Sequence, residues 1–452
     1  MIRFLFTGLL RVVLRVFFSE VAVAGADRVP STGPLLFVLN HPNALVDPAV
    51  LLCCAPRKVS FLAKSSLFDM PVIGTVVRAF DALPVYRRED APDQVGRNEE
   101  TFAAARQLLA AGAAVAIFPE GTTHTDASLR QLKTGAARLA LGAQLRQLQI
   151  VPAGLYFDDR TIFRSRALLY FGEPFEVDST ASESPGDSDV TPARALTDRI
   201  GEALATVTLQ AEGTATLNLS GRVQALFSSR DDDAIIAQSF TVQRRLVAGH
   251  GELAARHPEQ LAAFVAHLAD YERELRSLGI GLDQPMPDAY PWHRSLAFTL
   301  RKVTALLLLA PLGLLGIVTN WIPYRILGLL ASKAARDDDD VLLATFKILG
   351  SWVIFPLGWL AIGVAVGSTW DSPWVGLASV VVTILAGWAA LSFLERLAEL
   401  GGATRVFVLF LSRRRRWDRL HTQRSELQAR VRELATLVNA EAVPGEQQPT
   451  KG

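Results

Sequence analysis

Leu35-Leu36-Phe37-Val38-Leu39-Asn40-His41-Pro42-Asn43-Ala44-Leu45-Val46-Asp47-Pro48 opens with five consecutive apolar residues and runs into a polar turn holding one imidazole and one carboxylate. An apolar run this short and unbroken reads as a strand covered on both faces. Loops held by such strands carry chemistry, because the scaffold fixes their position. A carboxylate on one ring nitrogen of a histidine sets the tautomer and stabilises the imidazolium once the other nitrogen takes a proton. His41 and Asp47 are therefore candidates for a general base and its orienting partner. The same residues also suit a helix start, with Asn40 or Asn43 as cap and Asp47 in the first turn.

The pattern repeats downstream. Val115-Ala116-Ile117-Phe118-Pro119-Glu120-Gly121-Thr122-Thr123 is again an apolar run entering a Pro/Gly turn with a carboxylate. Ala82-Leu83-Pro84-Val85-Tyr86-Arg87-Arg88 ends in two arginines, and Ile150-Val151-Pro152-Ala153-Gly154 is an apolar run broken by proline. Strands are expected at 35–39, 58–62, 82–86, 114–118, 150–157 and 167–171. Helices are expected at 46–54, 70–80, 93–112 and 129–145. This alternation predicts an α/β layer with a largely parallel central sheet. Ligands of such sheets sit at the carboxyl ends of the strands, where His41 and Glu120 both fall.

Taken in order, these blocks resemble the glycerolipid acyltransferase family, which acylates glycerol phosphate and lysophosphatidate. That family shows Asn-His with a following Asp, a Gly…Arg block, Phe-Pro-Glu-Gly-Thr, and an apolar Val-Pro block, all present within residues 30–180. The combination is specific; each block alone is weak. One departure stands out. The family places four residues between His and Asp, whereas five, Pro42 to Val46, stand here. The longer spacer with Val-Asp-Pro resembles a subgroup that uses glycerol 3-phosphate or dihydroxyacetone phosphate, while Phe-Pro-Glu-Gly-Thr leans toward the lysophosphatidate enzymes.

The resemblance implies direct attack of an acceptor hydroxyl on an acyl-CoA or acyl carrier protein thioester, with no acyl-enzyme. An alcohol does not ionise unaided at neutral pH, so a positioned base is needed; His41, oriented by Asp47, fills that role. The family's phosphate-binding arginine matches Arg87 or Arg88, whose planar forks suit a phosphate dianion. Only one of two neighbours on an extended strand points inward, so the choice stays open. Lys133 is a second phosphate candidate, or a helix-surface lysine. Glu120, Gly121 and Thr122 are implied in the acceptor site, with Glu120 receiving glycerol hydroxyls and Gly121 allowing close backbone approach. Val151 and Pro152 line the acyl channel or belong to a core strand. No cofactor or metal is expected: no ligand spacing is apparent, and His250, His257 and His267 read as surface or packing residues.

The chain has 452 residues, half hydrophobic, with a formal net charge of +1, so no basic excess points to nucleic acid. Adjacent Cys53 and Cys54 in an apolar run read as buried thiols, with an acyl-cysteine as the competing role. No Gly-x-Ser-x-Gly elbow supports a hydrolase. A non-enzymatic lipid-binding scaffold is the remaining class, and the intact His41, Asp47, Arg87 and Glu120 argue against it.

Five regions are expected: a membrane-interface helix at 1–19, the acyltransferase domain at 20–180, a helical region at 193–290, a membrane domain at 296–396 and an amphipathic helix at 412–440. At 100° per residue Arg3, Thr7, Arg11 and Arg15 share one arc of the first helix, opposite Phe4, Leu5, Leu9, Val12, Val13, Val16 and Phe17. Ala22-Val23-Ala24 also resembles a signal-peptide cleavage site. Residues 178–192 read as a linker, Asp337–Asp340 as a solvated loop and the tail from Pro444 as disordered. Val303–Ile322, Ile348–Gly367 and Trp374–Leu394 are long enough to cross a bilayer, with Trp321, Trp352, Trp370 and Trp374 near their ends. Arg301, Lys302, Lys333, Arg336, Lys347 and Arg413–Arg416 flank them, while Ser368–Pro373 has no Lys or Arg. Keeping basic loops cytoplasmic makes the second and third stretches a hairpin and obliges 303–332, with Pro311, Gly313, Gly316 and Pro323, to enter and return as a re-entrant or two-helix hairpin. The catalytic domain then faces the cytoplasm. The stripe Leu420, Leu427, Val431, Leu434 and Val438 suits a homodimer or packing back on the domain.

Overall fold

The structure is a computed structural model and describes residues 2–87, 92–160, 162–177, 191–227, 236–284, 286, 292–334, 343–412 and 414–441. Residues 178–190 of the expected linker at 178–192, the run Asp337–Asp340, Arg88 and the tail from Pro444 lie outside the described residues, while Pro192 opens a helix. Two compact units emerge: Met1–Gly213 with Ile235–Arg244 and Ala334–Ile348, and Thr214–Ala234 with Arg245–Lys333 and Leu349–Gly452. The expected helical region 193–290 is thus divided between them.

The first unit is built on an eight-stranded sheet. Its strands are β1 (Glu20–Ala24), β2 (Leu35–Leu39), β3 (Val59–Lys64), β4 (Leu83–Val85), β5 (Ala114–Ile117), β6 (Gln149–Phe157), β7 (Arg166–Phe171) and β8 (Phe175–Glu176). The order is β1-β7-β6-β2-β5-β3-β4, with β8 also on β6. β6, β2, β5, β3 and β4 are mutually parallel, while β7 is antiparallel to β6 and parallel to β1. Interleaved are α1 (Ile2–Phe17), α2 (Val46–Cys54), α3 (Pro71–Ala79), α4 (Asn98–Ala110), α5 (Gly135–Gly142) and α6 (Pro192–Ala205).

β2 shows why the unbroken apolar run folds as it does. Leu35, Phe37 and Leu39 join one core with Leu14, Phe17, Val50, Leu51 and Phe80, from α1, α2 and the end of α3. Leu36 and Val38 join the other with Ala105, Leu109, Ala136, Leu139 and Leu204, from α4, α5 and α6. Alternate residues point to opposite faces, and both faces are covered by helices, so every position must be apolar.

The edge departs from expectation. Ala22-Val23-Ala24, read above as a cleavage motif, forms the last three residues of β1, in register with Leu168–Tyr170. On α1 most of the expected apolar face points outward, and the arginine arc reaches the domain. Arg3 donates to Val59 O at 2.7 Å and to Asp81 at 3.0 Å, and Arg11 donates to Cys53 O at 3.2 Å, so these arginines tie the helix to the domain. Phe17, expected on the outer apolar face, is in the core, while Phe4, Leu5, Leu9 and Val12 point outward.

The second unit is helical: α7 (Thr214–Leu226), most of α8 (Ile236–Arg256), α9 (Pro258–Ser277), α10 (Trp292–Ala334), α11 (Leu343–Thr369), α12 (Pro373–Ser412) and α13 (Arg414–Glu441). The stripe of α13 is spent inside the chain. Trp417, Leu420, Leu427 and Leu434 pack with Leu268, Tyr271 and Leu275 of α9 and with Val223 and Leu226 of α7. The buried Arg424 donates to Ala225 O and Leu226 O, each at 3.0 Å, satisfying the last carbonyls of α7.

The expected break in 303–332 does not occur: α10 is one helix with Pro311 and Pro323 inside it, and Trp321 is in its interior rather than at an end. Its glycines serve contact instead of turning. A Cβ on Gly316 would lie 1.9 Å from Ala386 O of α12, and one on Gly313 would lie 2.9 Å from Phe393 Cβ. Small residues let apolar helices approach closely where no water is available to drive burial. Asn320 adds a polar link, accepting from Trp359 Nε1 of α11 at 2.8 Å. Three segments, Leu300–Lys333, Phe346–Thr369 and Pro373–Ala398, are long and apolar enough to cross a membrane, and large side chains such as Leu308 (78% exposed) and Val318 (73%) face outward from α10. This composition marks a membrane-associated chain.

Candidate active site

His41 lies two residues past β2, at the carboxyl end of the parallel strands. Its Nδ1 is 2.8 Å from Asp47 Oδ2, and the Asn43 N–H donates to the same oxygen at 2.7 Å. The ring stacks on Phe118, centroids 4.2 Å apart. Asp47 sits in the first turn of α2 and on the histidine, but the expected Asn40 or Asn43 cap is absent: Leu45 precedes the helix with no side-chain cap, and the Asn40 side chain bonds Leu155 of β6 instead. The positive end of the helix favours the Asp47 charge there. Within the five-residue spacer, Ala44 has φ +35°, in the left-handed region that L side chains avoid.

Asp47 is fully buried, and burial pushes its carboxyl above the usual carboxylate range; the hydrogen bond and charge of His41, the Asn43 N–H and the Arg160 guanidinium pull it back. With a carboxylate accepting from Nδ1, the hydrogen sits there and Nε2 is the basic nitrogen. Among the described residues Nε2 has no hydrogen-bond partner, and the side chain remains partly exposed.

Glu120 is not open to a ligand. Its Oε1 accepts from the His41 N–H at 3.0 Å, and its Oε2 accepts from the Arg130 N–H at 3.0 Å and from His124 Nε2. The geometry makes it a strut between the loops after β2 and β5 rather than a receiver of glycerol hydroxyls. His124, which sequence reasoning passed over, completes that strut. It is buried, its Nδ1 accepts from the Asp126 N–H at 3.2 Å, and its own N–H donates to His41 O at 3.3 Å. The Asp126 contact places the ring hydrogen on Nε2, facing Glu120. Arg160 closes the assembly, donating to Pro42 O at 3.4 Å and His124 O at 3.2 Å. The signal for His124 was its spacing of four from Glu120, short enough to share one turn.

Gly121 has φ +71°, and its N–H donates to Phe118 O at 3.0 Å. A side chain there would put its Cβ 2.8–2.9 Å from Cδ, Cε and Nζ of Lys133. The glycine therefore makes room for Lys133, which the Phe-Pro-Glu-Gly-Thr turn also holds through Lys133 N–H to Pro119 O at 2.8 Å. Thr122 is half-buried in the same turn. Arg87 is half-buried two residues beyond β4, at the same end of the sheet as His41. The strand before it is clamped by α4: Asn98 accepts from Tyr86 N–H and donates to Tyr86 O, at 2.9 and 2.7 Å, and Thr101 donates to Pro84 O at 2.6 Å. Lys64 ends β3 opposite Val85, adding a third cation to this end. Val151 is a buried core-strand residue rather than a channel wall.

Residues 20–156 match the family model described as Acyltransferase, and residues 222–442 match the one described as Glycerol-3-phosphate acyltransferase 2 C-terminal domain. The chain therefore carries an acyltransferase domain at residues 20–156. Among its relatives, Glycerol-3-phosphate O-acyltransferase 1 of Saccharomyces cerevisiae is 22% identical over 97% of this chain and 71% of its own length. Glycerol-3-phosphate O-acyltransferase 2 of the same yeast is 28% identical over 58% of this chain and 37% of its own length. The chloroplastic 1-acyl-sn-glycerol-3-phosphate acyltransferase LPAT1 of Arabidopsis thaliana is 32% identical over 27% and 33%, respectively. The chain thus spans well under two thirds of two of these relatives.

Proposed function

We propose that this protein transfers a fatty acyl group from a thioester, acyl-CoA or acyl carrier protein, to a hydroxyl of glycerol 3-phosphate or dihydroxyacetone phosphate in phospholipid synthesis. The observation that carries the reading is the His41–Asp47 pair, 2.8 Å apart at the carboxyl end of the sheet. His41 Nε2 takes the acceptor's hydroxyl proton as the oxygen attacks the thioester carbon. The C–O bond forms, the C–S bond breaks, and the imidazolium returns its proton to the leaving thiolate. The buried Asp47 carboxylate stabilises the imidazolium between these steps. Such a base contributes about 10²–10⁴-fold. Arg87, Lys133 and Thr122 hold the acceptor's phosphate end, the cations supplying charge.

The yeast Glycerol-3-phosphate O-acyltransferase 1, matched over 97% of this chain, spans both family domains, which favours the glycerol phosphate acceptors. Lysophosphatidate is the second reading, favoured by Phe118-Pro119-Glu120-Gly121-Thr122 and by the plant relative. The catalytic unit works on the cytoplasmic face of a membrane to which the chain is anchored. The stripe of α13 is filled by α7 and α9, which removes the observation that motivated a homodimer.

Purified protein and its His41→Ala variant, given labelled palmitoyl-CoA or palmitoyl carrier protein with each acceptor in turn, test the reading. Transfer to a glycerol phosphate that vanishes in the variant is the expected result. Transfer to lysophosphatidate alone selects the second reading. No transfer from either donor to any acceptor, or activity that survives the substitution, rejects the mechanism.

A further inference from the structure

Three segments have the length to cross a bilayer, yet the path of the chain lets only two of them do so. α9 leads into α10, and α13 follows α12. α9 and α13 lie side by side, with Leu268, Tyr271 and Leu275 against Trp417, Leu420 and Leu427, Arg416 3.4 Å from Glu274, and Arg405 of α12 donating to Gly279 O just past α9 at 2.8 Å. Neither α9 nor α13 belongs to a candidate span. A chain that crosses three times cannot bring α13 back to α9.

The middle of the path gives the same answer from different residues. The start of α11, up to Ile348, belongs to the sheet unit. Ile348 packs on the core formed by α1, α2 and α3 with the sheet, and Lys347 lies in the field of Asp159. The sheet precedes α10 in the chain, and among the described residues no candidate span lies between them. α10 therefore starts and finishes on one side. α11 and α12, by contrast, form a tight hairpin. Ser372 N–H donates to Gly367 O at 3.0 Å, and a Cβ on Gly376 would lie 2.6 Å from Gly363 O.

We propose that α11 and α12 are the membrane-crossing hairpin and that α10 is embedded in the leaflet on the catalytic side without crossing, its outward apolar face covered by lipid acyl chains. Length supports this. The 34 residues of Leu300–Lys333 extend about 51 Å at 1.5 Å each, well over the roughly 30 Å of a hydrocarbon core. Charge supports it too. Arg301, Lys302, Lys333, Lys347 and Arg414–Arg416 all fall on one side, and the opposite turn, Ser368–Pro373, has neither Lys nor Arg. That distribution is the one basic loops adopt when they stay in the cytoplasm.

Single cysteines in a Cys53→Ala, Cys54→Ala background test the path. A membrane-impermeant maleimide is applied to spheroplasts and to inside-out vesicles of expressing cells carrying Ser277→Cys, Lys333→Cys, Asp371→Cys or Val364→Cys. Ser277→Cys and Lys333→Cys are expected to label from the same face, Asp371→Cys from the opposite face, and Val364→Cys from neither. Arg414→Cys and Ser332→Cys repeat the first two positions in case either variant fails to fold. Labelling of position 332 or 333 on the face opposite 277 shows that α10 crosses and overturns the proposal. Labelling of position 364 from either face overturns the membrane reading itself, a failure distinct from an error in the path.

Discussion

The sheet unit and the helical unit use the same residue types in opposite ways. In the sheet, the large apolar side chains of β2 are inside, and the polar groups His41, Asp47, Glu120 and His124 gather where the strands end. In α10 and α11 the large apolar side chains face out, and the contacts within are made by Gly313, Gly316, Gly358 and Gly363. A buried carboxylate organises the first unit; in the second, the carboxamide of Asn320 bridges α10 and α11. The difference teaches that a residue's meaning depends on the solvent its unit meets. Water drives apolar groups inward. Lipid does not, so close approach of small residues is what remains to hold helices together.

Removing the base should have the largest effect. His41→Ala is expected to lower kcat by about 10³-fold, within the range for a positioned general base, and to lower the melting temperature moderately, because the buried Asp47 carboxyl loses its partner. A steady-state assay beside a melting curve checks both. Retained turnover would place the chemistry elsewhere and dissolve the contrast between a sheet that reacts and helices that anchor.

Asp47→Asn sharpens the same contrast by separating activity from stability. The amide keeps the shape but no longer stabilises the imidazolium, so activity should fall by about 10²-fold or more. Stability should move the other way. Burial raises the Asp47 carboxyl in the folded chain above its ordinary 3.8. Stability linked to this group is therefore full below about pH 3.8 and falls as pH rises toward the raised folded value. Above that raised folded value the cost of burying the charge is fully present, and the amide removes it. Asp47→Asn should melt higher than the parent at pH 7, with the gap closing in acid. A lower melting point at neutral pH would show that the ion pair with His41 outweighs its desolvation.

His124 tests whether the strut matters to the reaction. His124→Phe keeps the bulk and loses the hydrogen bond to Glu120, so kcat should fall about 30-fold, in keeping with the steep cost of misplacing a catalytic group. KM for the acyl donor should stay within about twofold, because the strut acts on the base and not on the ligand. His124→Gln can still donate from the Nε2 position and should recover most of the loss. Equal damage in both variants would reduce His124 to a packing residue.

In the helical unit, Gly316→Leu forces a side chain against the Ala386 carbonyl. Overpacking costs about 1–3 kcal/mol, and a backbone obstacle on the neighbouring helix puts this site at the upper end. Loss of the monodisperse detergent peak, with the His41–Asp47 chemistry intact in whatever protein remains folded, is the expected result. A well-behaved Gly316→Leu would mean that α10 and α12 are not held by close approach.

How much was legible follows from the same contrast. The boundaries of α2 and β2 were readable because a strand covered on both faces leaves an unbroken apolar run, and the His41–Asp47 pair was readable because its residue types serve few other purposes. β1 was missed because an edge strand is only half covered and its small residues mimic a cleavage site. His124 was missed because its partner, Glu120, was assigned to the ligand. α10 was misread because Pro311, Gly313, Gly316 and Pro323 mean a turn in water, whereas here the glycines mark a helix contact.

The smallest effect is expected at Cys53, which shares α2 with Asp47 and shows what that helix does at its other end. Asp47 lies in the first turn, where the helix's positive end favours an anion; Cys53 lies in the last, where the negative end opposes one. Burial pushes the Cys53 thiol up to about 12. At pH 7 about one thiol in 10⁵ is then ionised, and only the thiolate is a nucleophile. A thiol held in that form is poorly suited to an acyl-cysteine route, which agrees with the proposed direct attack by the acceptor. Cys53→Ala should retain transfer within about twofold, since the residue takes no part in the reaction and the side chain lost is small. Substantial loss of activity, together with a melting point unchanged from the parent, would reopen the covalent route and transfer part of the chemistry from the strand ends to the far end of α2.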